Sequence, residues 1–209
     1  MKSKNDFFAF SLSLLLLAAC SPDKPKTLPY LGIKDVTANG DTLFHTIPPF
    51  AFLDQDSALI TEADFEGKVY ITDFFFTSCP SICPKMKSQM IRIHDEFLDD
   101  DRLVLLSHTI DPENDSVAVL KAYADALNIK TSKWHMVTGD KRAIYDMANK
   151  YLVSVAEDNQ APGGFVHGGH FILIDTQKRI RGYYDGTKED EVNQLMEDVT
   201  FLLDGKKGN

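Results

Sequence analysis

Eight residues, Val69-Tyr-Ile-Thr-Asp-Phe-Phe-Phe76, form a nearly continuous apolar run. A half-solvated strand would alternate; a run like this reads as a strand buried on both faces. Such a strand needs cover above and below, which points to a layered α/β domain. The next residues narrow the choice. Thr77-Ser-Cys79-Pro-Ser-Ile-Cys83-Pro84 carries two cysteines in a C-x-x-x-C spacing. Met86, Met90, Ile93 and Phe97 then recur at the three-and-four spacing of an amphipathic helix over Lys85 to Leu98.

The flanking pattern extends this unit. Tyr30 to Phe44 contains Asn39-Gly40-Asp41 between two short extended runs, a hairpin signal. Ile47 to Leu53 is extended, with prolines suited to an edge, and Thr61 to Phe65 reads as one helical turn. Leu103 to Ile110 is a second apolar strand, followed by a helix capped at Asp115 or Ser116 and running to Leu127. Trp134 to Val137 is a short strand, and a helix from Thr138-Gly-Asp140 reaches Tyr151. Phe171 to Ile174 and Ile180 to Tyr184 flank a turn, and Glu189 to Leu203 is a closing helix. Two strand-helix-strand units predict a parallel centre, and the late hairpin adds antiparallel strands. The expected fold is therefore α/β, with a central mixed sheet flanked by helices and an N-terminal hairpin. A thiol pair where the first buried strand meets a helix is the thioredoxin-like arrangement.

Two thiols at a helix start support three chemistries. A helix N-terminus stabilises thiolate, and Pro84 fits a first turn, where its missing N–H costs nothing. Cys79 and Cys83 can therefore run redox exchange. The loop is one residue wider than C-x-x-C and can turn both sulfurs toward one soft cation such as Cu(I). A plain stabilising disulfide is the third option, but so small a loop removes little unfolded-state entropy.

Other candidates lie further along. His167 sits in Pro162-Gly-Gly-Phe-Val-His-Gly-Gly-His-Phe171, in a loop that can return to the first strand's carboxyl end. His170 follows three residues later, and spacing alone does not choose between them. His108 falls inside a strand and reads as structural; His45, His94 and His135 read as surface or packing residues. Asp111 follows a strand that should neighbour the cysteine strand, so it is the expected support for the ligand set.

The amino end carries an export pattern. Lys2 and Lys4 precede the apolar core Phe7 to Leu17, which is too short to span a bilayer. Leu17-Ala-Ala-Cys20 resembles a bacterial lipobox, which implies cleavage before Cys20 and acylation of its sulfur; an ordinary signal peptide is the alternative. Residues 1–19 are then a lipoprotein signal, 20–29 a tether with three prolines, and 30–205 the folded domain. Lipidation of Cys20 would leave Cys79 and Cys83 as the only free thiols among the chain's three cysteines. The formal charge of -9 argues against nucleic acid as a partner.

Phe76-Thr-Ser-Cys79-Pro-Ser-Ile-Cys83-Pro84, Ile110-Asp-Pro-Glu113 with Asp115, Trp134 with Thr138-Gly139, and Val166-His167 before Phe171 to Asp175 together resemble the Sco/SenC family. The resemblance runs from about Leu28 to Leu203. It implies a thioredoxin-like domain on the outer side of a membrane, lipid-anchored in the cell envelope. It further implies a copper metallochaperone with Cys79, Cys83 and His167 as ligands. Its implied partner is the cytochrome c oxidase subunit bearing the copper A site. His167 is selected over His170 because it stands four residues before Phe171. Val166 replaces the acid that some members carry, and Gly168-Gly169 replace small polar residues. A thiol-disulfide oxidoreductase that reduces the target's copper-ligand cysteines is the alternative. A peroxiredoxin-type peroxidase, suggested by Pro48-Pro-Phe and Gly67-Lys-Val, lacks an arginine near the cysteines.

Overall fold

Residues 27–205 are described in a computed structural model. The expected signal, Cys20 and most of the tether lie outside the described residues. Leu28 and Pro29, at the end of the expected tether, touch the domain. Leu28 is buried, its carbonyl accepts from Arg181 Nη2 at 2.7 Å, and the Pro29 carbonyl accepts from Arg181 Nε at 2.9 Å.

Lys34–Val36 (β1) and Thr42–Phe44 (β2) pair antiparallel, as Asn39-Gly40-Asp41 predicts, with Gly40 at φ +86°. Ala51–Asp54 (β3) and Leu59–Thr61 (β4) form a second hairpin. The core unit is Val69–Phe75 (β5), Cys83–Glu96 (α1), Leu103–Thr109 (β6), Val117–Ala126 (α2), Trp134–Thr138 (β7) and Lys141–Lys150 (α3). The caps of the later helices follow the sequence: Ser116 accepts from Val119 N at 3.4 Å, and Asp140 from Ala143 N at 2.9 Å. Val155–Glu157 (β8) and Phe165–His167 (β9) form a small hairpin of their own. His170–Ile174 (β10), Ile180–Asp185 (β11) and Glu189–Leu203 (α4) close the chain.

The main sheet has the order β11-β10-β5-β6-β7-β3-β4. Strands β5, β6 and β7 are parallel; β10, β11, β3 and β4 add antiparallel pairs. Every residue of β5 and β6 is buried, which is why their sequences do not alternate. This is a thioredoxin-like fold with a mixed sheet. Strand β4 and the β8–β9 hairpin are additions to the expected elements. Each of these strands has only three residues, too few for a periodic signal.

The two sheet faces differ in chemistry. On one, Phe75 and Asp73 meet α1, Tyr123 and Trp134 around a small cavity. On the other, Phe74 stacks on His108 at 5.0 Å, with Phe50, Phe52 and Tyr151 around the imidazole. His108 is indeed structural, and neither ring nitrogen has a hydrogen-bond partner. The poles differ as well. Ile174 pairs with Tyr70 near the start of β5, so the 175–179 turn lies at the opposite end from Cys79.

Candidate metal centre

Strand β5 delivers the cysteine loop. Phe76 is buried just past the strand, and Cys79 N donates to its carbonyl at 3.3 Å. Thr77 is gripped by Asp115: its backbone N–H donates to Oδ2 at 3.0 Å and its hydroxyl to Oδ1 at 2.5 Å. Thr109, at the end of β6, donates to the same carboxylate at 2.5 Å. One buried acid thus ties the thiol loop, the neighbouring strand and the approach to α2.

Helix α1 starts at Cys83 with Pro84 in its first turn, and Ile82 supplies no side-chain cap. The sulfur of Cys79 lies just before this helix start, 3.6 Å from Ser81 Oγ. Burial alone would raise the Cys79 pKa. Hydrogen bonds from the Cys83 thiol and from the backbone of Ser81 and Cys83 outweigh it and hold the pKa below the ordinary thiol value. Cys83 is driven the other way, first by burial and then by the neighbouring Cys79 sulfur. The pair is asymmetric: Cys79 is the readier thiolate and Cys83 the proton holder.

His167 reaches the sulfurs through the β8–β9 hairpin, where it pairs with Val155. The hairpin packs on Phe76. Phe165 lies 4.9 Å from the Phe76 ring, and His167 meets it edge-on at 5.9 Å. Gly163 makes this approach possible. It has φ +80°, and a Cβ there would lie 2.8 Å from a Phe76 ring carbon. His167 Nε2 stands 3.7 Å from Cys83 Sγ. Burial lowers the imidazole's pKa, against a smaller opposing contribution from the Gly168 backbone, so the ring is neutral at pH 7 and offers a lone pair.

Cys79, Cys83 and His167 each place one donor atom within 4.8 Å of the others, the only such cluster of His, Cys, Asp and Glu among the described residues. Two thiols and a neutral imidazole form a soft donor set. The cluster includes His167 and not His170, which is exposed at the start of β10 and paired with Asp185. His45, His94 and His135 bond Lys150 O, Asp95 and Asp54 respectively, away from the cluster.

Two acids sit differently from what the sequence suggested. Asp111 accepts from Asn114 Nδ2 on both carboxylate oxygens at 3.0 Å, inside its own turn. The carboxylate that reaches the thiol loop belongs to Asp115. Asp73 lines with Cys83 a small, partly open cavity of about 20 Å³, room for roughly one water. Ser107 Oγ donates to Asp73 at 2.5 Å and accepts from Trp134 Nε1 at 2.9 Å. Burial pushes the Asp73 carboxyl up to about 7, against a lowering effect of the Ser107 hydrogen bond. An acid inside an apolar strand run is the signal that could have singled it out.

Comparison with known proteins gives a consistent result. The family model described as SCO1/SenC matches residues 39–204. A SCO1/SenC family lipoprotein from Bacillus anthracis is 26% identical, with 76% of this chain and 95% of that one covered and a TM-score of 0.69. BsSco, a Sco-family cytochrome c oxidase assembly protein in which a disulfide switch is described, is 25% identical over 75% and 92% of the two chains, with a TM-score of 0.66. Yeast Sco1, solved with copper bound, is 27% identical over 74% and 88%, with a TM-score of 0.59.

Proposed function

The chain belongs to the SCO1/SenC family, and from that premise we propose that it binds copper through Cys79 Sγ, Cys83 Sγ and His167 Nε2. The observation that carries this reading is the three-donor cluster within 4.8 Å. Thiolate and imidazole donors suit Cu(I), and a three-donor set leaves room for an incoming ligand from an acceptor protein. Binding requires loss of the thiol protons, so the asymmetric pair gives up the Cys79 proton first and the Cys83 proton only to a strong competitor. The test is anaerobic Cu(I) titration of the reduced protein. One equivalent should bind, and Cys79→Ala, Cys83→Ala and His167→Ala should each weaken binding by at least about tenfold. A wild-type protein that binds no copper would end this reading.

The finer reading is a membrane-tethered metallochaperone for the copper A centre of cytochrome c oxidase. Residues 1–19 would be removed, Cys20 acylated, and residues 20–29 would join the anchor to the domain at 30–205. The protein would sit in the cell envelope, facing the periplasm or outer side. The Bacillus anthracis lipoprotein and the oxidase-assembly role of BsSco support this. Deleting the gene in its host should lower the copper A absorbance of the oxidase, and added copper should partly restore it. Unchanged copper A in the deletion strain would remove the oxidase as target.

A second reading rests on the unequal acidity of the two thiols. In an oxidoreductase, the Cys79 thiolate would attack a target disulfide, forming a mixed disulfide and releasing one target thiolate. Cys83 would then displace the second, leaving a Cys79–Cys83 disulfide and a reduced target. Cys83→Ala should trap the mixed disulfide; failure to trap any partner counts against it.

A further inference from the structure

The β1–β2 hairpin forms a two-stranded sheet of its own, separate from the main sheet. Ile33, at its base, is 69% exposed, Leu43 56% and Val36 70%. The register sets Asp35 opposite Leu43 and Val36 opposite Thr42. Ile33 and Leu43 therefore share one face and Val36 lies on the other, so the ribbon shows apolar side chains on both sides. Exposed aliphatics grouped on a projecting element mark a contact surface.

The hairpin's place in the fold identifies what it contacts. Leu31 N donates to Ile180 O at 2.9 Å and Ile47 N to Lys178 O at 2.9 Å, fixing its base to the turn between β10 and β11. Arg179 covers Phe44 at 4.9 Å and Tyr30 at 5.1 Å from the same turn. That turn is at the pole opposite Cys79. The chain from Cys20 to its docking point at Leu28 spans eight residues, a reach of at most about 29 Å. Strand β5, with seven residues, separates the poles by about 20 Å. An anchor on Cys20 therefore attaches to the domain at the hairpin pole and keeps Leu28 within about 29 Å of the bilayer.

We propose that the β1–β2 hairpin seats on the lipid surface that holds Cys20, so that the thiol–imidazole cluster faces away from the membrane. This rests on the acylated Cys20 of the preceding section. Lys34 at 5.5 Å and Arg179 at 4.9 Å both lie over Phe44 at the hairpin base and supply positive charge for lipid headgroups, while Asp35 and Asp41 offset part of it. Apolar insertion carries the contact, and anionic lipid adds to it. A partner must then present its copper site well above the bilayer surface.

The test uses the acylated full chain in vesicles of phosphatidylethanolamine and phosphatidylglycerol, with bromine on the acyl chains. The single native tryptophan, Trp134, is buried and supplies a constant background. Leu43→Trp places a reporter on the hairpin, and Val119→Trp places one on α2 toward the other pole. The added Leu43→Trp emission should fall by at least half and that of Val119→Trp should not change. Ile33→Asp with Val36→Asp, both at exposed positions, should abolish the Leu43→Trp quenching. An acylated protein that floats with vesicles but leaves Leu43→Trp unquenched overturns the docking and leaves the anchor standing. Stronger quenching of Val119→Trp overturns the orientation. A dimer of the acyl-free protein that shifts Leu43→Trp emission assigns the patch to a second copy and overturns the lipid contact. A full chain whose Cys20 carries no acyl mass removes the anchor, and this inference with it.

Discussion

Asp115 holds Thr77 by two hydrogen bonds, one from its backbone N–H and one from its hydroxyl. Thirty-eight residues separate the pair in sequence, and Thr77 stands two positions before Cys79. The contact fixes the start of the thiol loop to the end of β6, where Thr109 binds the same carboxylate. Asp115→Ala leaves a half-buried backbone N–H and two hydroxyls without their acceptor. The expected outcome is a loss of about 1–3 kcal/mol in stability and a drop of about tenfold or more in Cu(I) affinity. Chelator competition on the folded variant measures the second effect apart from the first.

Gly163 is the pivot for the imidazole. Any side chain at φ +80° is strained, and a Cβ would press to 2.8 Å from Phe76. Phe76 is buried, so the hairpin must give way and carry His167 outward. Gly163→Ala should lower Cu(I) affinity while Cys79 keeps its reactivity toward a thiol-alkylating reagent. Gly164→Ala, with no neighbour within 4 Å of its Cβ, meets only backbone strain at φ +85° and should cost less affinity. Equal losses in the two variants would count against a Phe76 contact as the cause.

His108 predicts an acid-dependent instability. Burial alone lowers its pKa to about 3, against 6.5 for an ordinary imidazole. Above pH 6.5 both folded and unfolded forms are neutral and the shift has no effect. As pH falls from 6.5 toward 3, the unfolded chain binds the proton first and folding stability declines. Asp73 acts with the opposite sign. Its folded pKa of about 7 exceeds the ordinary 3.8, so its contribution is lost as pH rises through that interval. His108→Phe should fill the same aromatic cage, remove two unpartnered nitrogens and flatten the acid limb. Urea midpoints from pH 4 to pH 7 test this; an unchanged slope in the variant would refute it.

These residues show which features were legible in sequence. The β5 run, the cysteine spacing and Pro84 are contiguous, so the strand-to-helix junction could be read directly. His167 could not be separated from His170 by spacing and rested on the family resemblance. The physical reason lies in long-range packing: Phe76 meets Phe165 across 89 positions, and Gly163 matters only because of that contact. Strands β8 and β9, three residues each, carry no periodicity to announce the hairpin. The exchange of Asp111 for Asp115 has a similar cause. Both acids follow β6, and only the tertiary position of Thr77 decides which one meets the loop.

Arg181 supplies the last prediction. Its guanidinium is buried, pairs with Asp175 at 2.9 Å and donates to the carbonyls of Leu28 and Pro29. It also lies over Tyr30 at 4.2 Å. Three separate segments therefore meet on one side chain: the entry to the domain, the β10–β11 turn and strand β11. Arg181→Met keeps much of the volume but leaves the Asp175 carboxylate without its counter-ion, held only by the backbone N–H groups of Gln177 and Arg179, and frees both carbonyls. Removing one partner of a buried pair costs about 3–5 kcal/mol. The double variant Arg181→Met with Asp175→Leu removes the stranded charge and should recover part of that loss. In both variants residues 28–30 lose the guanidinium that holds them, while the Leu31 N–Ile180 O bond remains, so amide exchange at Leu28 and Tyr30 should rise and the Cys79–Cys83–His167 cluster, at the other pole, should keep its Cu(I) affinity. A fall in affinity matching the fall in stability would mean that the two poles are coupled through the sheet, contrary to this expectation.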